Sequence, residues 1–163
     1  MKKLGLLILL IASVSSLNLK ALPVDELYAA FVSLFKGFAK TPQAACAGVI
    51  EKEKNKILEI IYMAVDDLNA GKNLNTAVQT AVIRLVGIDE LVDECNVLAM
   101  PPIIANIGTK DGIIDILQNL IDYIDNVVSY GKKIKSALDI KDYNGAAEAL
   151  GHILSIGFDF TVN

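Results

Sequence analysis

The sequence predicts an all-α protein, a single antiparallel bundle of five to six helices with one disulfide. Three observations lead to this fold class. Apolar residues recur at helical intervals of three and four through most of the chain, and residues that start or stop helices separate those segments. No segment alternates apolar and polar residues as a half-buried strand does. The length of 163 residues suits one domain with a sizeable core.

The chain begins with the pattern of a secretory signal peptide. Two lysines precede an apolar run over residues 4–14, and small residues follow it. The run is about ten residues long, whereas a helix needs about 20 residues to cross a bilayer. We therefore expect cleavage after Ser16, which makes residues 1–16 the signal peptide and residues 17–163 the helical bundle domain. A signal segment that is retained as an anchor is the alternative.

Capping and charge signals define the first three helices. Pro23 opens the first helix, which has acids in its first turn and lysines near its end, in agreement with the helix dipole. Thr41 is an N-cap directly before a proline, and it starts the second helix. The predicted segments are about 23–40, then 42–69 with Gly71 as its stop, and a third that starts at Asn73 or Asn75 and ends near 87.

Similar signals divide the second half of the chain. Pro101 and Pro102 follow the fourth helix, and we expect them to terminate it because proline disrupts a helix interior. Thr109 caps the longest helix, which has an acid in its first turn and lysines in its last. The predicted segments are 89–100, 110–138 and a closing helix that starts at Asp142 or Asn144.

The longest predicted helix has the most regular apolar pattern. Its apolar residues alternate between spacings of four and three, and neighbouring apolar residues widen the face. A face of this width is typical of a helix inside a bundle. We therefore expect the row to pack against other helices. Its residues are Ile113, Leu117, Leu120, Ile124, Val127, Gly131, Ile134 and Leu138.

The two cysteines, Cys46 and Cys95, predict one disulfide. In an exported chain an even number of cysteines favours bridging, and two cysteines allow only one pairing. Both lie on apolar helix faces, so the bridge would join the second predicted helix to the fourth. Closing the loop between them would stabilise the fold by about 4 kcal/mol. Two buried free thiols are the alternative.

The charge balance argues against several kinds of partner. The chain has 15 basic and 19 acidic residues, and the predicted signal peptide removes two lysines and no acids, so the net charge changes from −4 to −6. Nucleic-acid binding depends on cations that neutralise phosphates, and Arg84 is the only arginine. No second apolar stretch is long enough to span a membrane. We expect no nucleic-acid partner, no membrane span after cleavage, and a location outside the cell or in the secretory-pathway lumen.

His152 is the only histidine and the first candidate for catalysis. Glu148 lies one helical turn earlier, but an acid–histidine pair at this spacing is an ordinary surface contact. No serine lies in a Gly-x-Ser-x-Gly context, and one histidine with two bridged cysteines cannot supply a usual zinc ligand set. We interpret His152 as a structural or surface residue, and we expect no catalytic residue, no cofactor and no metal.

Two acidic patterns match metal sites only in part. Asp142, Asn144 and Gly145 fit inner positions of a calcium loop, but Ile140 and Gly151 stand where that loop needs acids. A turn with a helix cap explains the same residues. The second pattern is a row of carboxylates along the longest helix without the Glu-x-x-His pairs of metal-binding bundles, so we interpret it as a solvated face. Its members are Asp111, Asp115, Asp122 and Asp125.

Two helix faces are candidates for binding or close packing. An aromatic row on the first helix predicts core packing, with a ligand pocket or a docking face as the alternatives. Its residues are Tyr28, Phe31, Phe35 and Phe38. Small residues at steps of four on the closing helix let another helix approach closely, either within the chain or in a homotypic interface. These residues are Ala147, Gly151 and Ser155.

The order of these features resembles a loose group of small, secreted, all-helical, two-cysteine proteins from ciliates. An aromatic helix ending "FVSLFKGFAK" precedes the first cysteine, and the chain closes with "DYNGAAEALGHILSIGF". The last helix of that group often reads "DYYxAGxxIGxIL". This chain departs from the pattern at Ala147, where glycine is expected. The resemblance implies an all-helical secreted protein and no catalytic residues. The matching residues are Asp142, Tyr143, Gly151, Ile153 and Leu154.

The sequence therefore favours a non-catalytic secreted helical protein that acts through protein–protein contacts, with self-association included, as a surface or extracellular structural component. The alternative is a carrier of a lipid or another hydrophobic small molecule in a helical cavity. The apolar content of 53% and the aromatic row both agree with a carrier. An enzyme is the least favoured class.

Overall fold

The computed structural model describes residues 23–38, 44–107 and 109–160, and within these ranges the chain is helical and contains no strand. The prediction of an all-α fold is confirmed. The predicted signal peptide and its cleavage point lie outside the described residues. The described helices are α1 Val24–Phe38, α2 Ala44–Lys52, α3 Lys54–Asn69, α4 Leu74–Val86, α5 Asp89–Cys95, a 3-10 turn Val97–Ala99, α6 Met100–Ile107, α7 Lys110–Asp122, α8 Ile124–Asp139 and α9 Tyr143–Phe158.

Three helices begin at side-chain caps that the sequence predicts. The side chain of Asn73 accepts a hydrogen bond from the backbone N–H of Thr76 at the start of α4, at 2.8 Å. Thr109 accepts from the N–H of Gly112 at the start of α7, at 3.1 Å. Asp142 accepts from the N–H of Gly145 at the start of α9, at 2.9 Å. Each cap satisfies a backbone donor that the first helical turn leaves without a partner.

The end of α3 follows the predicted glycine stop. Gly71 adopts φ +85°, and its N–H donates to the carbonyl of Leu68 at 3.1 Å, while the N–H of Lys72 donates to the carbonyl of Asp67 at 3.0 Å. This pair of bonds is a Schellman motif, which uses a left-handed residue to satisfy the last carbonyls of a helix. The chain then turns back into α4, so α3 and α4 pack as a helical hairpin.

Two predicted helices are each divided at one residue, so the prediction of continuous helices over 42–69 and 110–138 is wrong. Glu53 separates α2 from α3, and Tyr123 separates α7 from α8, with φ −110° and ψ 31°. Backbone hydrogen bonds continue across both residues, as in the bond from the Val127 N–H to the Tyr123 carbonyl at 3.1 Å. The helical period persists on both sides of each bend, and for this reason the sequence pattern alone does not reveal it.

The prolines begin a helix rather than end one. Helix α5 stops at Cys95, where Asn96 adopts the left-handed conformation with φ 54°, and a 3-10 turn leads into α6. Pro101 and Pro102 occupy the first turn of α6. Proline is compatible with that turn because the N–H groups there have no intrahelical partner. The predicted end of the fourth helix at Pro101 is therefore wrong.

The bundle is organised around α9, which packs mainly against α1 and α8 and also against α7. The largest hydrophobic cluster joins α1 to the segment from α2 to the 3-10 turn, and it includes Tyr28, Phe35, Ile57 and Leu91. The predicted disulfide between Cys46 and Cys95 is present, and it fastens α2 to α5 with both cysteines buried. Of the described helices, none is long and apolar enough to cross a membrane.

Candidate functional site

The main candidate site is an apolar cavity of about 490 Å³ between helices of the bundle, and it is partly open to the surface. Its walls come from α1, α3, α4, α8 and α9, and Met100 of α6 contributes one side chain. Known small-molecule sites have volumes of about 300–1,000 Å³ and are mostly apolar. The cavity is therefore of the size that holds a ligand rather than a packing defect of one or two methyl groups.

The cavity wall is almost free of polar side chains. Among the described residues that line it, Tyr143 is the only one whose side chain carries an oxygen or a nitrogen atom. The remaining lining residues are alanine, valine, leucine, isoleucine, phenylalanine and methionine. An ion or a strongly polar molecule would lose its hydration on entering, and among the described lining side chains only the hydroxyl of Tyr143 could form a hydrogen bond with it. The described lining is therefore chemically similar to hydrocarbon.

The aromatic row of α1 contributes three of its four members to this wall. Phe31, Phe35 and Phe38 line the cavity, and their ring centroids are 4.8 Å apart for the first pair and 6.3 Å apart for the second. Phe38 also packs edge-on against Phe160 beyond the end of α9, at 5.7 Å. These contacts hold the rings as a rigid apolar surface.

Tyr28, the fourth member of the row, does not line the cavity. Its buried hydroxyl donates a hydrogen bond to the carbonyl of Ile50 in α2 at 2.9 Å, so it joins α1 to α2. Burial, and secondarily the negative charge of Glu51, raises the pKa of Tyr28 above its usual value. The ammonium group of Lys54 lies 4.9 Å from the centre of its ring. The predicted row therefore divides into one structural residue and three wall residues.

Four leucines of the wall remain partly accessible although they lie on inward helix faces. Leu34, Leu138, Leu150 and Leu154 are all only half-buried, and all four line the cavity. Apolar periodicity predicts that such residues face inward, but it does not distinguish a packed neighbour from an empty space. For this reason the aromatic row was a recognisable signal in the sequence, while the aliphatic side of the cavity was not.

The small residues of the closing helix have three separate surroundings. Gly151 packs directly against the backbone of Leu34 and Gly37 in α1. Ala147 lines the cavity. The hydroxyl of Ser155 donates to the carbonyl of Phe160 at 2.7 Å, which holds the segment after α9 against the core. At Gly151 the groove is thus filled by a helix of the same chain.

His152 lies outside the cavity, in a shallow groove between α8 and α9 that is lined by both polar and apolar side chains. Its ring stacks on that of Tyr130, with centroids 4.6 Å apart. Burial lowers the pKa of His152, the nearby Lys133 lowers it further, and Glu148 opposes both. Serine and lysine side chains from α8 line the groove. The contact with Tyr130 holds the ring of His152 against α8.

The carboxylates do not assemble into a metal site. Within the described ranges, no group of three or more histidine, cysteine, aspartate or glutamate side chains is arranged to hold a metal ion. Asp142 uses its side chain to cap α9. Asp111, Asp115 and Asp122 are exposed on α7, and Asp125 is exposed on α8.

The outward face of α7 is a feature that the sequence pattern misassigned. Four large aliphatic side chains on this helix are 43–63% exposed: Ile113, Ile114, Leu117 and Ile121. Two members of the predicted apolar row, Ile113 and Leu117, therefore face outward. Val127, Gly131 and Ile134 in its second half are buried. The outward direction of this face results from the bend at Tyr123 and from the use of a different set of α7 residues to contact the bundle.

The inward face of α7 is narrow and partly polar. Gly112 packs against the backbone of Asn106, and the amide of Asn119 donates to the carbonyl of Gly157 in α9 at 3.0 Å. Ile116 and Leu120 contact Gly157 on the same side. Since these residues dock α7 onto α6 and α9, the larger aliphatic face is left on the surface.

Comparisons with known families, curated proteins and solved structures identify no relative of this chain. The chain matches no protein-family model, no curated protein and no solved structure. The cavity and the exposed face of α7 are therefore the features of the molecule that bear on its function.

Proposed function

We propose that the protein is a carrier of a hydrophobic small molecule, which it binds in the cavity between α1, α3, α4, α8 and α9. The observation that supports this function is the combination of a volume of about 490 Å³ with a wall whose described side chains are apolar apart from Tyr143. An apolar site of this size has no evident purpose in a bundle that could close by packing larger side chains.

The driving force would be burial of hydrocarbon. Each methylene group transferred from water to an apolar wall stabilises the complex by about 0.8 kcal/mol. Affinity should consequently rise about fourfold for each added methylene until the ligand fills the cavity. Such a dependence on chain length distinguishes a cavity ligand from a molecule that adheres to the surface.

The proposed setting is outside the cytosol. The leader pattern of residues 1–16 indicates export, and the disulfide is compatible with an oxidising compartment. Apolar molecules have low solubility in the aqueous fluid of such compartments, and a protein with an interior apolar site would keep them in solution.

The first test is a binding series with unbranched alcohols of increasing length, read by titration calorimetry on the exported protein. Ala64 lines the cavity in α3, so Ala64→Leu should fill part of it and weaken binding of the longest alcohol at least tenfold. The matched control is Ala47→Leu, because Ala47 is exposed on α2 and does not line the cavity. The control should leave binding unchanged.

Two results would contradict the carrier function. One is a parent protein that binds no alcohol of any length. The other is an Ala64→Leu variant that folds and binds the series as tightly as the parent. Native mass spectrometry of the protein secreted by its own cells provides an independent test, since a retained ligand would add lipid-sized mass to the chain.

A second candidate function is protein binding through the outward face of α7. A contiguous aliphatic face is unusual on the surface of a soluble protein that acts alone, and it often marks an interface. Asp111, Asp115 and Asp122 border this face, so a complementary partner would present an apolar surface bordered by lysine or arginine.

The second candidate is tested by size-exclusion chromatography of the secreted protein in its own medium. We expect the parent to elute as a larger complex, and Leu117→Gln combined with Ile121→Gln to release the monomer. Ile83→Gln is the control, since Ile83 is equally exposed but lies on α4. Elution of the parent as a monomer would contradict an interface role for α7.

A further inference from the structure

Among the described residues of the cavity wall, Tyr143 has the one polar side chain. It is the first residue of α9, and its side chain is half-buried. Every other described lining side chain is hydrocarbon or, at Met100, a thioether. A single hydroxyl in such a wall gives a bound molecule only one place to form a side-chain hydrogen bond.

The hydroxyl of Tyr143 is not used by the fold. It forms no hydrogen bond with any described residue, in contrast to the hydroxyl of Tyr28, which joins two helices. No buried side-chain oxygen or nitrogen in the described part of the chain lacks a partner. The Tyr143 hydroxyl must therefore be accessible, either to solvent or to a molecule in the cavity.

The preceding residue, Asp142, uses its side chain within the fold. Asp142 directs a carboxylate oxygen to the N–H of Gly145 as the cap of α9. A phenolic hydroxyl can both donate and accept a hydrogen bond. The Tyr143 hydroxyl is thus free to pair with a polar group that enters with an apolar chain.

We propose that Tyr143 binds the polar end of the carried molecule, and that this molecule is a hydrocarbon chain with one uncharged oxygen-containing head group, an alcohol or a carbonyl. This inference rests on the proposed carrier function. The uncharged head group follows from the wall, because none of its described residues is lysine, arginine or histidine. A carboxylate would lose hydration without gaining a counter-charge.

The test compares two ligands that differ only in the head group, decane and 1-decanol, by equilibrium partition of each labelled compound. Tyr143→Phe keeps the ring and removes the hydroxyl. We expect it to weaken 1-decanol binding by about two- to tenfold and to leave decane binding unchanged. Tyr62→Phe is the control, because Tyr62 is exposed on α3 and does not line the cavity. Circular dichroism verifies that both variants fold.

The outcomes separate the two proposals. If the parent binds neither ligand, the carrier function is wrong. If both ligands bind but Tyr143→Phe changes neither, or weakens both equally, the carrier function stands and the role of the hydroxyl is refuted. Decanoate provides the last comparison, since tighter binding of this anion than of 1-decanol would overturn the uncharged head group.

Discussion

Gly37 and Gly151 bring the backbones of α1 and α9 into direct contact. A β-carbon built on Gly37 would lie 2.8 Å from the α-carbon of Gly151, and one built on Gly151 would lie 2.9 Å from the α-carbon of Gly37. Both distances are shorter than carbon atoms tolerate. The two glycines therefore determine how closely α1 and α9 cross, and these helices form two walls of the cavity.

Replacing Gly151 with alanine should destabilise the fold by about 3 kcal/mol. The new methyl group would meet backbone rather than a side chain that can move, so the helices must separate. Helix propensity alone would favour alanine by about 1 kcal/mol. Urea unfolding measures the change.

The control for this substitution is Gly48→Ala. Gly48 lies in α2, and a β-carbon there would have no neighbour within 4 Å. This variant should be more stable than the parent by about 0.5–1 kcal/mol. A Gly151→Ala protein as stable as the parent would show that α1 and α9 do not cross as described.

Removing the disulfide should lower the free energy of unfolding by about 4 kcal/mol. The bridge closes a loop between residues 49 positions apart, and it restricts the unfolded chain. The measurement is chemical unfolding with and without a reductant. A variant with Cys46→Ala and Cys95→Ala should show no response to the reductant, because it retains no thiol. An unchanged midpoint in the reduced parent would contradict a stabilising bridge.

Replacing Lys141 with glycine should stabilise the protein by about 0.5 kcal/mol. Lys141 has φ 59° after the end of α8, where its N–H donates to the carbonyl of Leu138 at 3.1 Å. A side chain costs about 1–2 kcal/mol in this conformation, and the greater freedom of glycine in the unfolded chain offsets part of the gain.

Gly71 also has a positive φ, so the opposite substitution, from glycine to a residue with a side chain, can be made there. Because Gly71 has φ +85° at the end of α3, Gly71→Ala should destabilise the fold by about 1 kcal/mol. Thermal unfolding of Lys141→Gly and Gly71→Ala measures the change in stability of each variant. Destabilisation by Lys141→Gly would mean that the lysine side chain contributes more than the strain of its backbone removes.

The titration of His152 should have a midpoint below 6.5, its ordinary pKa. Burial against Tyr130 and the charge of Lys133 both lower the pKa, while Glu148 raises it. Since the chain has one histidine, a single imidazole resonance reports the titration by NMR. Glu148→Gln should lower the midpoint further, and Glu59→Gln on α3 should leave it unchanged.

The direction of this pKa has a consequence for stability. The unfolded chain binds the proton more tightly than the folded chain, so the contribution of His152 is complete above pH 6.5 and is lost as the pH falls through the folded pKa. A midpoint at or above 6.5 would contradict the stacked, partly buried position of the ring.

Local signals made much of the fold predictable. Asn73, Thr109 and Asp142 are caps whose effect depends on the next three residues, and Gly71 acts within one turn. The disulfide was predictable from the number of cysteines. Such features depend on short stretches of the sequence, so predicting them required no knowledge of the tertiary structure.

The bends and the site depend on distant contacts, and the sequence alone could not supply them. The direction of α7 is determined where Asn119 meets the carbonyl of Gly157, 38 positions along the chain. Its apolar pattern is the same whether the helix faces inward or outward. Likewise, the sequence of α1 would be the same whether its phenylalanines bordered a cavity or packed against other side chains.

The disulfide also divides the cavity walls into two topological classes. Helices α3 and α4 lie within the covalent loop closed by Cys46 and Cys95, whereas α1, α8 and α9 lie outside it. A protease that cuts the turn at Gly71 would therefore produce two chains that remain covalently joined, with every wall of the cavity still attached.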